Sequence, residues 1–335
     1  MHEKNMWALL KWVESRNQGR GRYGDNANHP IWGVENKYVL PHTFQYYGII
    51  LGYLNLYTNL NNQKYLKRAE EAGDFLCSLQ KFSGQFRYDT FEFNTPKQQG
   101  LALIHNALPS LALLELYERT KKRRYLQVAK RNIAWFFCRL WNGRYLTGCV
   151  NQDLCAAEAL TKLYGIEKKS VVKGRVIKIA DKALTLQIKE GEYRGGFIRG
   201  FKETDMVIPW YDAKTARSYL NISKDLNKQR YEESAKETAL WVKKNITKKG
   251  LIHWYRKKEG WEKSEEPLLI APTGEAYMLW KDLKMKSDPT LLRYQKRDGS
   301  FPLSGWFKDG RSKTNLGWNQ FMLVYLTTEA KREER

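Results

Sequence analysis

The chain has 335 residues, 42% of them apolar and 13% aromatic, and a formal net charge of +22. That apolar content excludes a disordered chain, and apolar stretches such as Ile49 to Leu56, broken by Gly52 and Asn55, are too short to span a membrane. The start, Met1-His2-Glu3-Lys4-Asn5-Met6, lacks the basic-then-apolar pattern of a secretory signal, so a soluble cytoplasmic protein is expected.

In chain order, a helix over about 4–16 comes first. It ends before Gly21-Arg22-Tyr23, the first of six phrases in which a glycine, one residue and a bulky apolar residue follow a helix. The others are Gly84-Gln85-Phe86, Gly143-Arg144-Tyr145, Gly191-Glu192-Tyr193, Gly250-Leu251-Ile252 and Gly299-Ser300-Phe301, with successive glycines 63, 59, 48, 59 and 49 residues apart. That spacing holds two helices plus loops. The first helix of each pair is apolar nearly all round, which predicts burial on most sides. These helices are expected over about 42–58, 101–118, 152–164, 210–222, 272–283 and 315–328. The second carries a charged face, over about 64–80, 123–140, 174–189 and 230–245, with a shortened fifth copy near 289–296. Tyr65 with Ala69, Tyr125 with Ala129 and Tyr231 with Ala235 repeat one pattern, a small residue where helices must approach closely.

Six inner–outer hairpins predict an all-α fold, an (α/α)6 toroid made by residues 1–335 as a single domain. The N-terminal helix would close the ring beside the C-terminal one. A straight α-solenoid is the structural alternative, but it gives the two end helices no reason to pair.

A toroid has two unlike ends. Turns within hairpins hold Lys121-Lys122-Arg123-Arg124, Lys168-Lys169 and the basic run from Lys224 to Arg230. Much of the basic excess therefore lies away from the glycine phrases, as in the Lys-rich surfaces of thermophile proteins. A nucleic-acid partner for this end ranks below a saccharide, because no recognition-helix, zinc-finger or RNP-type motif supports it. Cys77 and Cys138 sit on apolar helix faces and read as buried thiols. Cys149 and Cys155 lack zinc-site spacing. No phosphate loop, dinucleotide fingerprint, Gly-x-Ser-x-Gly or His-Glu-x-x-His occurs, so neither cofactor nor metal is expected.

The glycine end concentrates a different chemistry. It holds four of the five histidines together with Trp32, Trp210, Trp254, Trp306 and Trp318. Aromatic platforms beside Asn, Gln, Asp and Arg suit a sugar, whose CH face packs on a ring while its hydroxyls take polar partners. Asp89, Asp153 and Asp212, with Glu275 in reserve, are the candidate acid/base carboxylates. Two of them about 5–10 Å apart across the cavity would support hydrolysis. Trp32, Trp210, Trp254 and Trp318 are candidate platforms. His42, His105 and Arg194 would orient hydroxyls or a uronate carboxylate, with Gln45, Asn106, Tyr211 and Gln320 beside them. Each has a plainer account: Asp153 and Asp212 also suit the positive end of a helix dipole, and His105 suits a hydrogen-bonded core.

Gln295-Lys296-Arg297-Asp298-Gly299-Ser300-Phe301 resembles the Gln-x-x-Asp-Gly-Ser-Trp repeat of terpenoid cyclases and related toroids, and the run from Gln80 to Phe86 is a looser copy. The acidic motif of the cyclases and the zinc set of the prenyltransferases are missing. The whole chain is similar in architecture to the six-hairpin glycosidases and their uronate lyase and epimerase relatives, and the inner-helix start Asn151-Gln152-Asp153 fits them. That resemblance implies an oligosaccharide or polysaccharide substrate bound in the central cavity and glycosidic-bond cleavage. Lyase or epimerase chemistry, and a non-catalytic binding or scaffold protein on the same fold, are the alternatives.

Overall fold

The structure, a computed structural model, describes residues 2–23, 43–86, 96–253, 256–257, 268–287, 290–302 and 316–330. It contains eleven α-helices among those residues: α1 (His2–Glu14), α2 (Gln45–Leu60), α3 (Gln63–Ser78), α4 (Pro96–Thr120), α5 (Arg123–Leu140), α6 (Val150–Glu167), α7 (Ser170–Leu184), α8 (Pro209–Leu226), α9 (Gln229–Lys244), α10 (Gly274–Asp282) and α11 (Leu316–Thr327). Among the described residues no helix is long and apolar enough to cross a membrane.

The inner helices form a closed ring. Each of α2, α4, α6, α8, α10 and α11 packs on the next, and α11 returns to α2. Outside them, α3, α5, α7 and α9 back α2, α4, α6 and α8, and α1 backs α11. The fifth outer element is only a 3-10 turn, Thr290–Tyr294. This is the expected (α/α)6 toroid, with the N-terminal helix beside the C-terminal one. Closure depends on small residues. A Cβ at Gly48 of α2 would lie 2.2 Å from the Gln320 Cβ of α11, so only glycine lets these helices approach. The Gly48 N–H donates to Gln320 Oε1 at 2.9 Å across the seam.

The inner helices α2, α4, α6 and α8 turn back in two residues, the first with left-handed backbone (Asn61, Lys121, Lys168 and Asn227), and Lys284 after α10 has the same conformation, φ 50–57° throughout. Such a residue stops a helix and frees its last carbonyls for the turn. Asn62 then starts α3, its side chain accepting the Lys64 N–H at 3.0 Å. The outer helices bury one face only; α3 buries Tyr65, Ala69, Ala72 and Leu76.

Four of the glycine phrases, at Gly21, Gly84, Gly250 and Gly299, are turns that pack on an outer element, while a Cβ on Gly143 would meet nothing within 4 Å. In the second, the Lys81 N–H donates to the Gln85 carbonyl, and Gln80 pairs with Phe86 in a β-bridge. The Gln80 amide then donates to the carbonyls of Gly84 and, on α5, Val128, both at 2.9 Å. Gln295 repeats this, donating to the carbonyls of Gly299 and, on α1, Asn5. The Gln-x-x-Asp-Gly-Ser-Phe phrase is thus a structural clasp.

One register differs from the sequence expectation. In the fourth repeat the bridge joins Gln187 to Phe197, so the structural counterpart of Gly84 is Gly195, not Gly191. A Cβ on Gly195 would meet the Glu237 carbonyl oxygen at 2.5 Å, as one on Gly84 would meet that of Arg131 at 2.5 Å. A Cβ on Gly191 would meet nothing within 4 Å. Gly191 sits in an insertion between clasp glutamine and clasp glycine that imitates the phrase. The loops at this end also form two small antiparallel sheets that the periodicity does not show. Strand β1 (Ile198–Gly200) pairs with β2 (Glu203–Val207), which pairs with β4 (Arg256–Lys257); β3 (Ile252–His253) pairs with β5 (Leu268–Leu269).

Candidate functional site

The N-terminal turns of the inner helices surround the mouth of the ring, and their polar residues fall into two groups. The first faces outward and holds the clasps. Asn106 Oδ1 accepts the Phe86 N–H at 2.9 Å, and Asn319 Oδ1 accepts the Phe301 N–H at 2.7 Å. Asp212 does the same in the fourth repeat. Its Oδ2 accepts the Phe197 N–H at 3.3 Å and the Trp241 indole N–H at 2.8 Å. Asp153 takes four donors from its own loop: the N–H groups of Leu146, Thr147 and Gly148 and the Thr147 hydroxyl. In the first repeat the Tyr46 hydroxyl accepts the Tyr23 N–H, and the Gln45 amide donates to the Tyr23 carbonyl. One architectural position is therefore filled by Asn, Asp or Tyr, repeat by repeat. Burial drives the Asp212 pKa well above the usual carboxylate value against the pull of its two donors. Burial likewise raises Asp153, to about 6.

The second group faces the mouth and is largely aromatic. Pro109 inside α4 removes the N–H that would pair with the His105 carbonyl. The Thr43 hydroxyl takes that carbonyl at 2.8 Å instead, tying the start of α2 to α4. His105 thereby meets Phe44 edge-on at 4.8 Å between ring centroids. From Phe44 the rings continue to Trp318 at 6.2 Å, to Trp210 at 5.2 Å and to Tyr211 at 4.1 Å. This run from α4 through α2 and α11 to α8 floors the mouth. Trp210, Trp318 and His105 are each 8% exposed. The indole nitrogens of Trp210 and Trp318, Oε1 of Gln152 and the Thr215 hydroxyl are buried polar atoms without a partner among the described residues. A small recess of about 10 Å³, room for about one water, lies between α6 and α8, lined by Asn151, Arg199, Tyr211, Asp212 and Thr215.

Below the floor the bore is filled by ion pairs. On α8, Lys214, Arg217, Ser218 and Asn221 form an i, i+3, i+4, i+7 stripe. Glu158 of α6 accepts from the Lys214 ammonium at 2.7 Å, the Ser218 hydroxyl at 2.7 Å and the Asn221 amide at 2.6 Å. The ammonium also lies 5.3 Å from the centre of the Tyr47 ring. Arg217 bonds Glu275 at 3.0 Å and Asp282 at 2.8 Å. Burial alone would raise the Glu158 pKa, but the Lys214 charge and three hydrogen bonds outweigh it and hold the carboxyl below its usual value. Lys214 is correspondingly held well above its own, its desolvation outweighed by Glu158. Glu275 is fully buried, and its Oε2 has no partner among the described residues.

The structure thus brings His105, Trp210, Tyr211 and Trp318 to one floor. It does not bring Asp153, Asp212 and Glu275 there with free carboxylates: the first two serve clasps and the third an ion pair. Gln45, Asn106 and Gln320 hold backbone. Arg194 lies on the outer wall, its side chain 63% exposed and paired with Glu237 of α9. Asp89, Trp32, His42 and Trp254 lie outside the described residues. Gln152 was noted in the sequence only within the start Asn151-Gln152-Asp153; Thr215, Phe44 and the axial ion pairs were not singled out, although the charged stripe on the otherwise buried α8 is visible in it.

No protein-family model matches the sequence, and no curated protein does. Solved structures match the fold over its whole length. A cellobiose 2-epimerase from Bacillus thermoamylovorans superposes with a TM-score of 0.70 at 15% identity, covering 98% of this chain and 98% of that one. A sugar epimerase from a ruminal bacterium gives 0.70 at 16% identity, covering 98% and 99%. A glycosyl hydrolase family 88 protein from Bacteroides vulgatus gives 0.66 at 11% identity, covering 98% and 98%. The chain therefore shares the (α/α)6 toroid fold of these structures.

Proposed function

We propose that this toroid binds a saccharide at its mouth and is a carbohydrate-active enzyme. The observation that carries the proposal is the floor itself: two nearly buried indoles whose N–H groups have no partner among the described residues, together with a Gln152 carbonyl oxygen that has none there either. An unpaired buried polar group costs about 1–3 kcal/mol, and the hydroxyls of a sugar lying across the indoles would satisfy these donors and acceptors together. The superposing sugar epimerases and hydrolase family member support the same class of ligand.

Glycosidic cleavage by a carboxylate pair drawn from Asp89, Asp153, Asp212 and Glu275 is the expectation from sequence; Asp153 and Asp212 also accept N–H groups of their loops, and Asp89 lies outside the described residues. Proton transfer at a sugar carbon, as epimerisation or elimination requires, is the second reading. His105 favours it, being an imidazole on the floor beside the rings.

A panel of neutral disaccharides and uronate-containing oligosaccharides, followed by proton NMR in deuterated water, separates the chemistries. Hydrolysis yields new reducing ends, elimination a vinyl proton, and epimerisation deuterium at carbon without bond cleavage. Binding is read from tryptophan fluorescence. Trp318→Ala should weaken it on the order of tenfold or more, from the loss of a stacked ring and an N–H donor. If no sugar in the panel binds or reacts, or if Trp318→Ala binds as the parent does, the proposal fails.

A further inference from the structure

The charge is concentrated in one sector. Between residues 119 and 182 there are sixteen Lys and Arg against four Asp and Glu, so about a fifth of the chain carries more than half of the net charge of +22. Two of those four acids, Asp153 and Glu158, are buried at the clasp and in the bore. The cations stand on the outer wall. Helix α5 contains no acid at all. Its Arg123, Arg124, Arg131 and Arg139 are exposed, as are Lys168 and Lys169 in the turn between α6 and α7 and Lys178 on α7. The two helices are coupled: Lys130 pairs with Glu167 before α7, and the Arg175 guanidinium lies 4.7 Å over the Phe137 ring of α5. An open surface recess of about 380 Å³ lies against the first half of α5, lined by Arg124, Gln127, Val128, Lys130 and Arg131. Arg124 pairs with Asp74 and Arg131 with the Phe82 carbonyl, whereas Arg123, Arg139 and Lys178 have no ion-pair partner among the described residues.

We propose that the α5–α7 wall is a docking surface for an anionic polysaccharide, one that carries carboxylate or sulfate groups along its length. Charge complementarity selects a polyanion. The choice of a glycan rests on the saccharide reading of the mouth and on two features of the wall. Phe137 lies beneath Arg175 and Tyr164 beneath Lys168 and Lys173, so these two rings offer no platform for stacking bases. The wall is made of outer-helix faces, with no described element projecting from it into a nucleic-acid groove. A polymer chain held there lies on the outside of the ring, apart from the residues of the floor.

The test uses the full chain with polygalacturonate, neutral dextran, duplex DNA and phosphatidylserine vesicles at matched ionic strength. Polygalacturonate should bind, dextran should not, and the Kd should rise steeply with sodium chloride. Reversing Arg123, Arg139 and Lys178 together (Arg123→Glu, Arg139→Glu, Lys178→Glu) should weaken it on the order of 10²-fold, since binding of this kind scales with the number of neutralised charges. The triple variant should keep the tryptophan-fluorescence response of the parent to neutral disaccharides, which separates wall from mouth. Unaltered binding by the triple variant, or tighter binding of DNA or of vesicles, overturns the proposal. If the triple variant loses nothing while neutral sugars still act at the mouth, the wall alone is wrong. If the wall binds polygalacturonate while no sugar engages the mouth, the saccharide reading alone is wrong.

Discussion

The buried carboxylates at the rim and those in the bore have the same chemistry and opposite surroundings. Asp153 and Asp212 face neutral donors, chiefly backbone N–H groups, whereas Glu158 and Glu275 face an ammonium and a guanidinium. Desolvation therefore wins at the rim and raises both pKa values, while at Glu158 the counter-charge wins and lowers it. Burial alone does not decide ionisation; the partner does. The rim acids are variants of a clasp position that two other repeats fill with Asn106 and Asn319. The bore acids belong to a charge network that exists once.

Removing a counter-ion should do the greatest damage. Lys214→Met leaves the Glu158 carboxylate buried with only neutral donors and is expected to destabilise by about 3–5 kcal/mol, read from the denaturant midpoint. Adding Glu158→Leu should recover most of that loss, because an apolar pair can replace a buried ion pair. A Lys214→Met loss as small as that of a surface lysine would show that the bore is wetter than the contacts imply.

At the rim, the clasp that Asp212 holds can be unseated from its other side. Gly195→Ala places a methyl 2.5 Å from the Glu237 carbonyl oxygen at φ +93°, combining backbone strain with overpacking. Gly191→Ala, at φ +74° with nothing within 4 Å, meets backbone strain only. Gly195→Ala is expected to cost about 2–4 kcal/mol and Gly191→Ala about 1 kcal/mol, measured as shifts in thermal midpoint. Equal losses would return the fourth phrase to Gly191.

This pair also shows where sequence runs out. The ring was legible because helix periodicity and a six-fold phrase are local signals, repeated often enough to outweigh any single misreading. The register at Gly191 was not, because an insertion supplied a second glycine followed two residues later by an aromatic, and only contact with α9 distinguishes them. The floor was legible in part: Trp210, Trp318, Tyr211 and His105 are conspicuous residue types, but Phe44 joins them only through the Thr43–His105 link and the closing of the ring. The role of the acids was least legible. An aspartate in the first turn of an inner helix looks the same in sequence whether it faces a sugar or a backbone N–H.

That ambiguity is resolved by the mildest substitution, Asp212→Asn, which copies the Asn106 and Asn319 clasps. An amide oxygen at Oδ2 keeps both acceptor contacts, to Phe197 and Trp241. Because burial raises the folded pKa of Asp212 above the usual 3.8, its contribution to stability is complete below about pH 4 and is lost as pH rises through the folded value. Asparagine has no such loss. The variant should melt with the parent near pH 4, to within about 0.5 kcal/mol, and should gain on it progressively toward pH 8. Turnover of any sugar the parent accepts should be retained. A fall of about 10²–10⁴-fold, the loss typical when a general acid or base is removed, would instead make Asp212 a catalytic carboxylate that its clasp merely orients.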